Sequence, residues 1–266
     1  MTRTGTALVV SAGSHRGHHR ERNEDAVGVQ GWTTQRDDGR VVRLHLAAYP
    51  SATCVVADGM GGQRAGHIAS RLAAELISGD IAENSSENVF ASFAAAHERI
   101  HAAASVSSQL GMGTTAVALS LSPDSIVVAN VGDSRLYEIT DGPIVLSHDD
   151  NPQPPPGVVH DGPVHVLSQA LGGEHPPSVH LDRLPVEENL RFLLCSDGLT
   201  DVVSNAEIEQ LCTRQQDDEA LVESLIAAAL QAGGPDNVTV SVARVEHRAR
   251  PLTGRASHPP IPRTRG

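Results

Sequence analysis

The 266-residue chain carries 32 acidic residues against 20 basic ones, all of the latter arginine, for a formal net charge of −12. That balance argues against a general nucleic-acid binder and suits a protein that collects divalent cations. Hydrophobic residues make up 39% of the chain and aromatics only 2%, so the core must be Val, Leu, Ile and Ala, in one large domain or two small ones.

In chain order, short apolar runs bounded by Gly, Asp, Asn and Pro read as strands over Ala7–Val10, Ala26–Val29, Val41–Ala48 and Thr53–Ala57. Ile68, Leu72 and Leu76, with Ala65, Ala69 and Ala73 on a neighbouring track, mark a helix. Val89, Phe93, Ala96 and Ile100 mark a second. Strands return over Thr115–Leu121, Ser125–Ala129, Arg135–Ile139, Ile144–Leu146 and Arg191–Cys195, with Asp141-Gly142 as a hairpin turn. Ser204-x-x-Glu207 predicts a capping box opening a third helix. Leu221, Leu225 and Ala228 mark a fourth, and Val238–Ala243 is the final strand. This grouping predicts an antiparallel sandwich flanked by helices rather than an alternating parallel sheet.

Two stretches read as irregular. Asp149–Pro163 holds five prolines and predicts a loop, and residues 247–266 hold five arginines and four prolines without an acidic residue, which predicts a disordered basic tail. Cys54, Cys195 and Cys212 show no CxxC spacing, and buried free thiols in a reducing compartment are the simple reading. The N-terminal apolar run is too short for a signal peptide, and no segment approaches the ~20 apolar residues of a membrane span. A soluble, cytoplasmic protein is expected.

The stretch Cys54-Val55-Val56-Ala57-Asp58-Gly59-Met60-Gly61-Gly62 drives an apolar run into a carboxylate among glycines. It fits a plain turn, a phosphate-cradling loop or a metal site. The absence of a following Gly-Lys-Ser/Thr weakens the second reading, and the segment alone does not choose between the others. Similar carboxylates stand at Glu24 and Asp25, at Asp133, at Asp197 and at Asp236, each at the edge of an apolar run. Carboxylates gathered by a sheet cannot all remain ionised without cations, and an all-oxygen ligand set favours magnesium or manganese over zinc or copper.

Six segments carry a resemblance: Arg20-x-x-Asn23-Glu24-Asp25, Val56-Ala57-Asp58-Gly59-Met60-Gly61-Gly62, Gly111-Met112-Gly113-Thr114-Thr115, Asn130-Val131-Gly132-Asp133-Ser134-Arg135, Cys195-Ser196-Asp197-Gly198-Leu199-Thr200-Asp201 and Gly234-Pro235-Asp236-Asn237-Val238-Thr239. In this order they resemble the metal-dependent protein phosphatases of the 2C type, bacterial members above all, from roughly Gly17 to Ala243. The resemblance implies an α+β, four-layer α-β-β-α sandwich with a binuclear metal centre at one end, within a single catalytic domain over 1–246. It implies hydrolysis of protein phosphoserine and phosphothreonine by a metal-bridging water.

By the same resemblance, Asp58 bridges two ions and the Gly59 carbonyl joins the second. Asp197 and Asp236 complete the first ion's shell, and Glu24 binds the second ion, directly or through water, with Asp25 behind it. Asp133 and Asp201 fall where a third ion can bind, Arg20 takes the phosphate, and Asn237 orients metal-bound water. The glycines after Asp58 are expected to keep room for water and phosphate.

Manganese or magnesium is the implied cofactor. Phosphorylated proteins and a cognate serine/threonine kinase or its targets are the implied partners, with no nucleic acid, no membrane and a monomeric state expected. The rival readings are a pseudophosphatase used for binding and a hydrolase of small phosphoesters. Met60 stands where some eukaryotic members carry histidine, and the segment over 149–163 reads as a short proline-rich flap. The histidines at 15, 18 and 19 read as a solvated loop.

Overall fold

The computed structural model describes residues 5–60, 65–79, 85–106, 111–151 and 167–248. Gly61-Gly62, most of the proline-rich flap and nearly all of the basic tail lie outside the described residues. The chain runs β1 (Gly5–His15), β2 (Ala26–Val29), β3 (Trp32–Thr34), β4 (Val42–Ala47), β5 (Ala52–Ala57), β6 (Gly59–Met60), α1 (Gly66–Ser78) and α2 (Ser86–Val106). It continues through β7 (Gly113–Thr114), β8 (Ala116–Leu121), β9 (Ile126–Val131), β10 (Arg135–Glu138), β11 (Ile144–Val145), β12 (His180–Leu184) and β13 (Arg191–Cys195). Helices α3 (Asp197–Thr200), α4 (Asn205–Arg214) and α5 (Asp218–Gln231) precede the last strand, β14 (Val238–Arg248).

Two six-stranded antiparallel sheets form, in the orders β11-β10-β13-β14-β1-β4 and β12-β9-β8-β5-β2-β3. Strand alternation sorts the apolar side chains into three cores. Val56 of β5 and Leu8 of β1 fill the space between the sheets. Val55 and Ala57 face the opposite way, onto Ala69 of α1 and Phe93 of α2. Leu193 and Cys195 of β13 pack under Ile208 of α4 and Leu225 of α5. The result is the four-layer α-β-β-α sandwich.

The Ser204 capping box is formed, with Glu207 N donating to the Ser204 side chain and the Glu207 carboxylate reaching back. The turn at Gly142 joins β10 to β11 as expected. β1 and β14 run longer than their apolar cores because they pair with each other along their whole length, from Gly5↔Arg248 to His15↔Val238. β14 therefore passes the expected boundary at residue 246. Three short strands, β3, β6 and β7, and the partly exposed edge strand β12 carry no apolar run long enough to announce them. Among the described residues, no helix is long and apolar enough to cross a membrane.

Beneath α5, Asp218 is almost fully buried between two arginines. Its Oδ1 accepts from Arg191 Nε at 3.0 Å and Nη2 at 2.7 Å, and from Arg244 Nη2 at 2.7 Å, while Oδ2 accepts from Arg244 Nε at 2.8 Å. The triad ties the first turn of α5 to β13 and β14. All three cysteines are buried and free, and burial pushes the Cys54 and Cys195 thiols up to about 12, consistent with core packing.

Candidate metal centre

Antiparallel pairing brings the carboxylates to one end of the sandwich. The chain leaves β5 where it enters β2, so Asp58 stands beside Glu24 and Asp25. β9 runs in the same direction as β5 across β8 and delivers Asp133. In the other sheet, β13 ends at Asp197 where β14 begins after Asp236. Asp58, Glu24, Asp133, Asp197, Asp201 and Asp236 line one pocket of about 930 Å³, with Arg20, Gly59 and Asn237. Asp25 lies beneath it, fully buried.

Each position is built by local contacts. Asp58 is fixed through its backbone: its N–H donates to Thr115 Oγ1 at 3.1 Å, and its carbonyl accepts from Thr115 N at 2.9 Å and Thr114 Oγ1 at 2.7 Å. The two threonines of Gly113-Thr114-Thr115 thus set the angle of Asp58, a role invisible in the motif itself. Asp25 Oδ2 accepts from Ser196 Oγ at 2.7 Å, and the same hydroxyl accepts from Thr239 N at 3.0 Å. Glu24 accepts from the backbone N–H of His67 at the start of α1, where a carboxylate complements the helix dipole.

The glycine after Asp58 has a different reason from the one expected. A Cβ on Gly59 would meet the Gly66 carbonyl oxygen at 2.3 Å and the Glu24 carbonyl oxygen at 2.6 Å. Gly59 is small because the backbones of α1 and the Glu24 segment press against it, not to leave room for ligand. Gly198 is similar, since a Cβ there would lie 1.8 Å from the Asn237 carbonyl oxygen.

Asn237 has a structural role that the sequence did not announce. Its Nδ2 donates to Arg16 O at 2.8 Å and Arg22 O at 3.0 Å, and its Oδ1 accepts from Glu24 N at 2.8 Å. Both amide protons are committed to backbone, so the side chain clamps the 16–24 segment. Arg20 projects from that segment into the pocket mouth and pairs with Asp236 while half exposed. Asp201 is exposed at the rim, with its N–H on the Asp197 carbonyl at 2.8 Å. Met60 is partly buried in the pocket wall.

Asp150, not singled out from the sequence, braces the Asp133 turn. Its Oδ2 accepts from Gly132 N at 2.8 Å, and its Oδ1 meets Gln169 Nε2 at 2.7 Å and His180 Nε2 at 2.8 Å. Asp149 beside it takes Arg135 in a two-pronged pair, with a shortest contact of 2.6 Å. The described start of the flap is therefore pinned on both sides of Asp133.

The electrostatics are those of crowded acids. Burial, then the charges of Asp25 and Asp197, hold the Asp58 carboxyl well above its ordinary range. Burial pushes Asp25 and Asp133 up to about 7, with Asp197 adding to each. Asp236 and Glu24 are raised by burial in spite of Arg20. Among the described residues no three acidic, His or Cys side chains already form a closed cage. Hard cations such as magnesium need only one or two carboxylates and otherwise keep water. Two buried carboxylate oxygens, Asp25 Oδ1 and Asp197 Oδ1, have no hydrogen-bond partner. Unpartnered, partly charged oxygens of this kind fit a divalent cation and are costly without one.

A linkage follows. A carboxyl whose folded pKa is raised stabilises the fold below its unfolded value, near 4, and that contribution is lost as pH rises through the folded value, here about 7 for Asp25 and Asp133. Metal-free protein should therefore lose melting temperature from pH 4 to pH 7. Added manganese should restore it, more at pH 7.5 than at pH 5. A manganese shift independent of pH, read by thermal unfolding, would count against carboxylate crowding as the source.

Fold and pocket together define a class: α-β-β-α sandwiches with an acidic centre where the strands of both sheets end. The Protein phosphatase 2C family profile matches residues 13–232. The chain is 30% identical over 249 residues to the serine/threonine phosphatase stp of Listeria innocua, covering 85% of this chain and 91% of that protein. The crystal structure of the Mycobacterium tuberculosis serine/threonine phosphatase PstP/Ppp superposes with a TM-score of 0.74 at 32% identity, covering 91% of this chain and all of that one. A structure of the PstP catalytic domain in complex with two manganese ions superposes at 0.72 with 30% identity, covering 91% and 99% of the two chains. The chain belongs to the protein phosphatase 2C family.

Proposed function

We propose that the chain is a protein serine/threonine phosphatase that hydrolyses phosphoserine and phosphothreonine with two divalent cations, manganese or magnesium, held at the Asp58 pocket. The carrying observation is the convergence of Asp25, Asp58, Asp197 and Asp236: burial, with the charges of its neighbours adding to it, raises the proton affinity of Asp25, Asp58 and Asp236, and two carboxylate oxygens are left unpartnered. Asp58, Asp197, Asp236, Glu24 and the Gly59 carbonyl would hold the core ions, with Asp25 behind them. Asp133 and Asp201 would serve a third. Bound ions supply Lewis acidity and lower the pKa of water.

The chain's own residues bind and orient. Arg20 presents a planar fork that matches phosphate, and it can exchange its Asp236 partner for the substrate. Asn237 holds the Arg20 segment in register with Glu24. No side-chain nucleophile is required. Phosphorylated proteins and a kinase acting on the same targets are the partners this reading implies. The three buried free thiols support a reducing, cytoplasmic setting, and we take a monomeric catalytic domain as the working form.

The test is an assay of phosphoserine, phosphothreonine and phosphotyrosine peptides with and without manganese. Metal-dependent release of phosphate from the first two is expected. Undiminished turnover by thoroughly stripped protein in chelator would remove the metal from the reading. Absence of any turnover with all ligands loaded would favour a binding role.

A further inference from the structure

Arg22 occupies one of the two open positions of the Arg20-x-x-Asn23 motif and lines the pocket mouth beside Arg20. Two other arginines near the site are matched by acids, Arg20 by Asp236 and Arg135 by Asp149. Arg22 makes no ion pair among the described residues. Its Nη1 instead lies 3.2 Å from Nδ1 and 3.1 Å from Nε2 of His67 on α1. A guanidinium only donates, so one ring nitrogen must accept, and the neutral ring steadies the arginine without adding a countercharge. Arg71, exposed one turn further along α1, adds a second positive charge that the His67 ring feels.

The backbone of Arg22 is equally fixed, since its carbonyl accepts from Asn237 Nδ2 at 3.0 Å. The cation is thus preorganised at the rim of a pocket whose interior is acidic. A phosphorylated side chain entering that pocket leaves its neighbours over the rim. On a chain of net charge −12, an acidic neighbour would be repelled at long range, and Arg22, whose charge Glu24 feels but does not pair, is the local group that can receive it.

We propose that Arg22, seated on His67 and reinforced by Arg71, is a second anion subsite that reads a carboxylate or a second phosphate flanking the phosphorylated residue, while Arg20 serves the scissile phosphate. The inference rests on the phosphoprotein reading above. It makes the protein selective for phosphosites in acidic or multiply phosphorylated context.

The experiment compares kcat/KM, with manganese present, for one phosphothreonine peptide with neutral flanks and for versions carrying Asp, Glu or a second phosphoresidue within three positions on either side. The wild type should prefer an anionic flank by about 5- to 30-fold, between an exposed ion pair and a buried charge-assisted contact, and the preference should fall as salt is raised. Preference for the doubly phosphorylated peptide alone would assign the subsite to phosphate, and equal preference for Asp and Glu would assign it to anions generally.

Arg22→Ala should bring the ratio to about 1, and Arg22→Glu should invert it toward basic flanks. Arg20→Ala should lower all peptides together and leave the ratio standing. Arg16→Ala, on the same loop, should also leave it standing. A flat ratio in the wild type, or an Arg16→Ala effect as large as that of Arg22→Ala, overturns the subsite. Failure to turn over any peptide defeats the phosphatase reading itself.

Discussion

Asp58→Asn is expected to lower kcat on phosphopeptides by at least ~100-fold, the scale of losing a principal electrostatic element of a site. The reason lies in what surrounds the side chain. Asp58 faces Asp25, Asp197 and Asp236, and its carboxylate is the charge that can hold hard cations among them. An amide keeps the shape and loses the charge. The variant should fold, because Thr114 and Thr115 grip the backbone of residue 58 rather than its side chain. Removing one acid from a crowded set should raise the melting temperature of metal-free protein while abolishing most of the stabilisation by manganese. Activity and metal-free stability thus move in opposite directions. A variant with wild-type kcat and an undiminished manganese shift would remove Asp58 from the centre.

The second large effect concerns stability. Asp218→Ala should cost about 3–5 kcal/mol in denaturant unfolding, the range for breaking a buried pair by removing one partner. Arg191 is 4% exposed and would keep a single acceptor, the Gln215 carbonyl at 3.2 Å. Arg244 is less buried and can turn toward water, so Arg191 carries most of the loss. Asp218→Asn should fall between, since an amide oxygen still accepts from the two guanidinium groups. A change below about 1 kcal/mol for the alanine variant would show that water reaches Arg191.

Legibility in the sequence followed the range of the forces involved. β5 and Asp58 could be read because an apolar run ending in Asp-Gly is a local signal, and the same holds for Ser204 and Glu207 within one helical turn. β12 could not. His180-Leu181-Asp182-Arg183-Leu184 lies half exposed at a sheet edge, where pairing with β9 rather than side-chain pattern defines the strand. α3 is four residues long and begins at Asp197 itself, so its sequence is that of the Asp197-Gly198 motif at the pocket. The candidate ligand positions were accessible as a set of strand-end carboxylates, but the groups that aim them were not. Thr115, Asn237 and Asp150 act through hydrogen bonds to partners 57, 213 and 18 residues away, and such contacts leave no periodic trace. The clamp made by Asn237 stayed hidden for that reason.

The pairing of β1 with β14 has a consequence for how the protein is made. The strand that begins at Gly5 finds its long partner only when residues 238–248 exist. Asn237, which fixes the segment bearing Arg20 and Glu24, arrives with that partner. On a ribosome the first half of the chain can assemble β2, β5, β8 and β9 with α1 and α2, yet it leaves one flank of β1 open and the pocket unformed. Hydrolytic competence is therefore a late event in synthesis. A chain interrupted before residue 237 would carry the pocket's carboxylates without the clamp that arranges them, so unfinished copies should be catalytically silent.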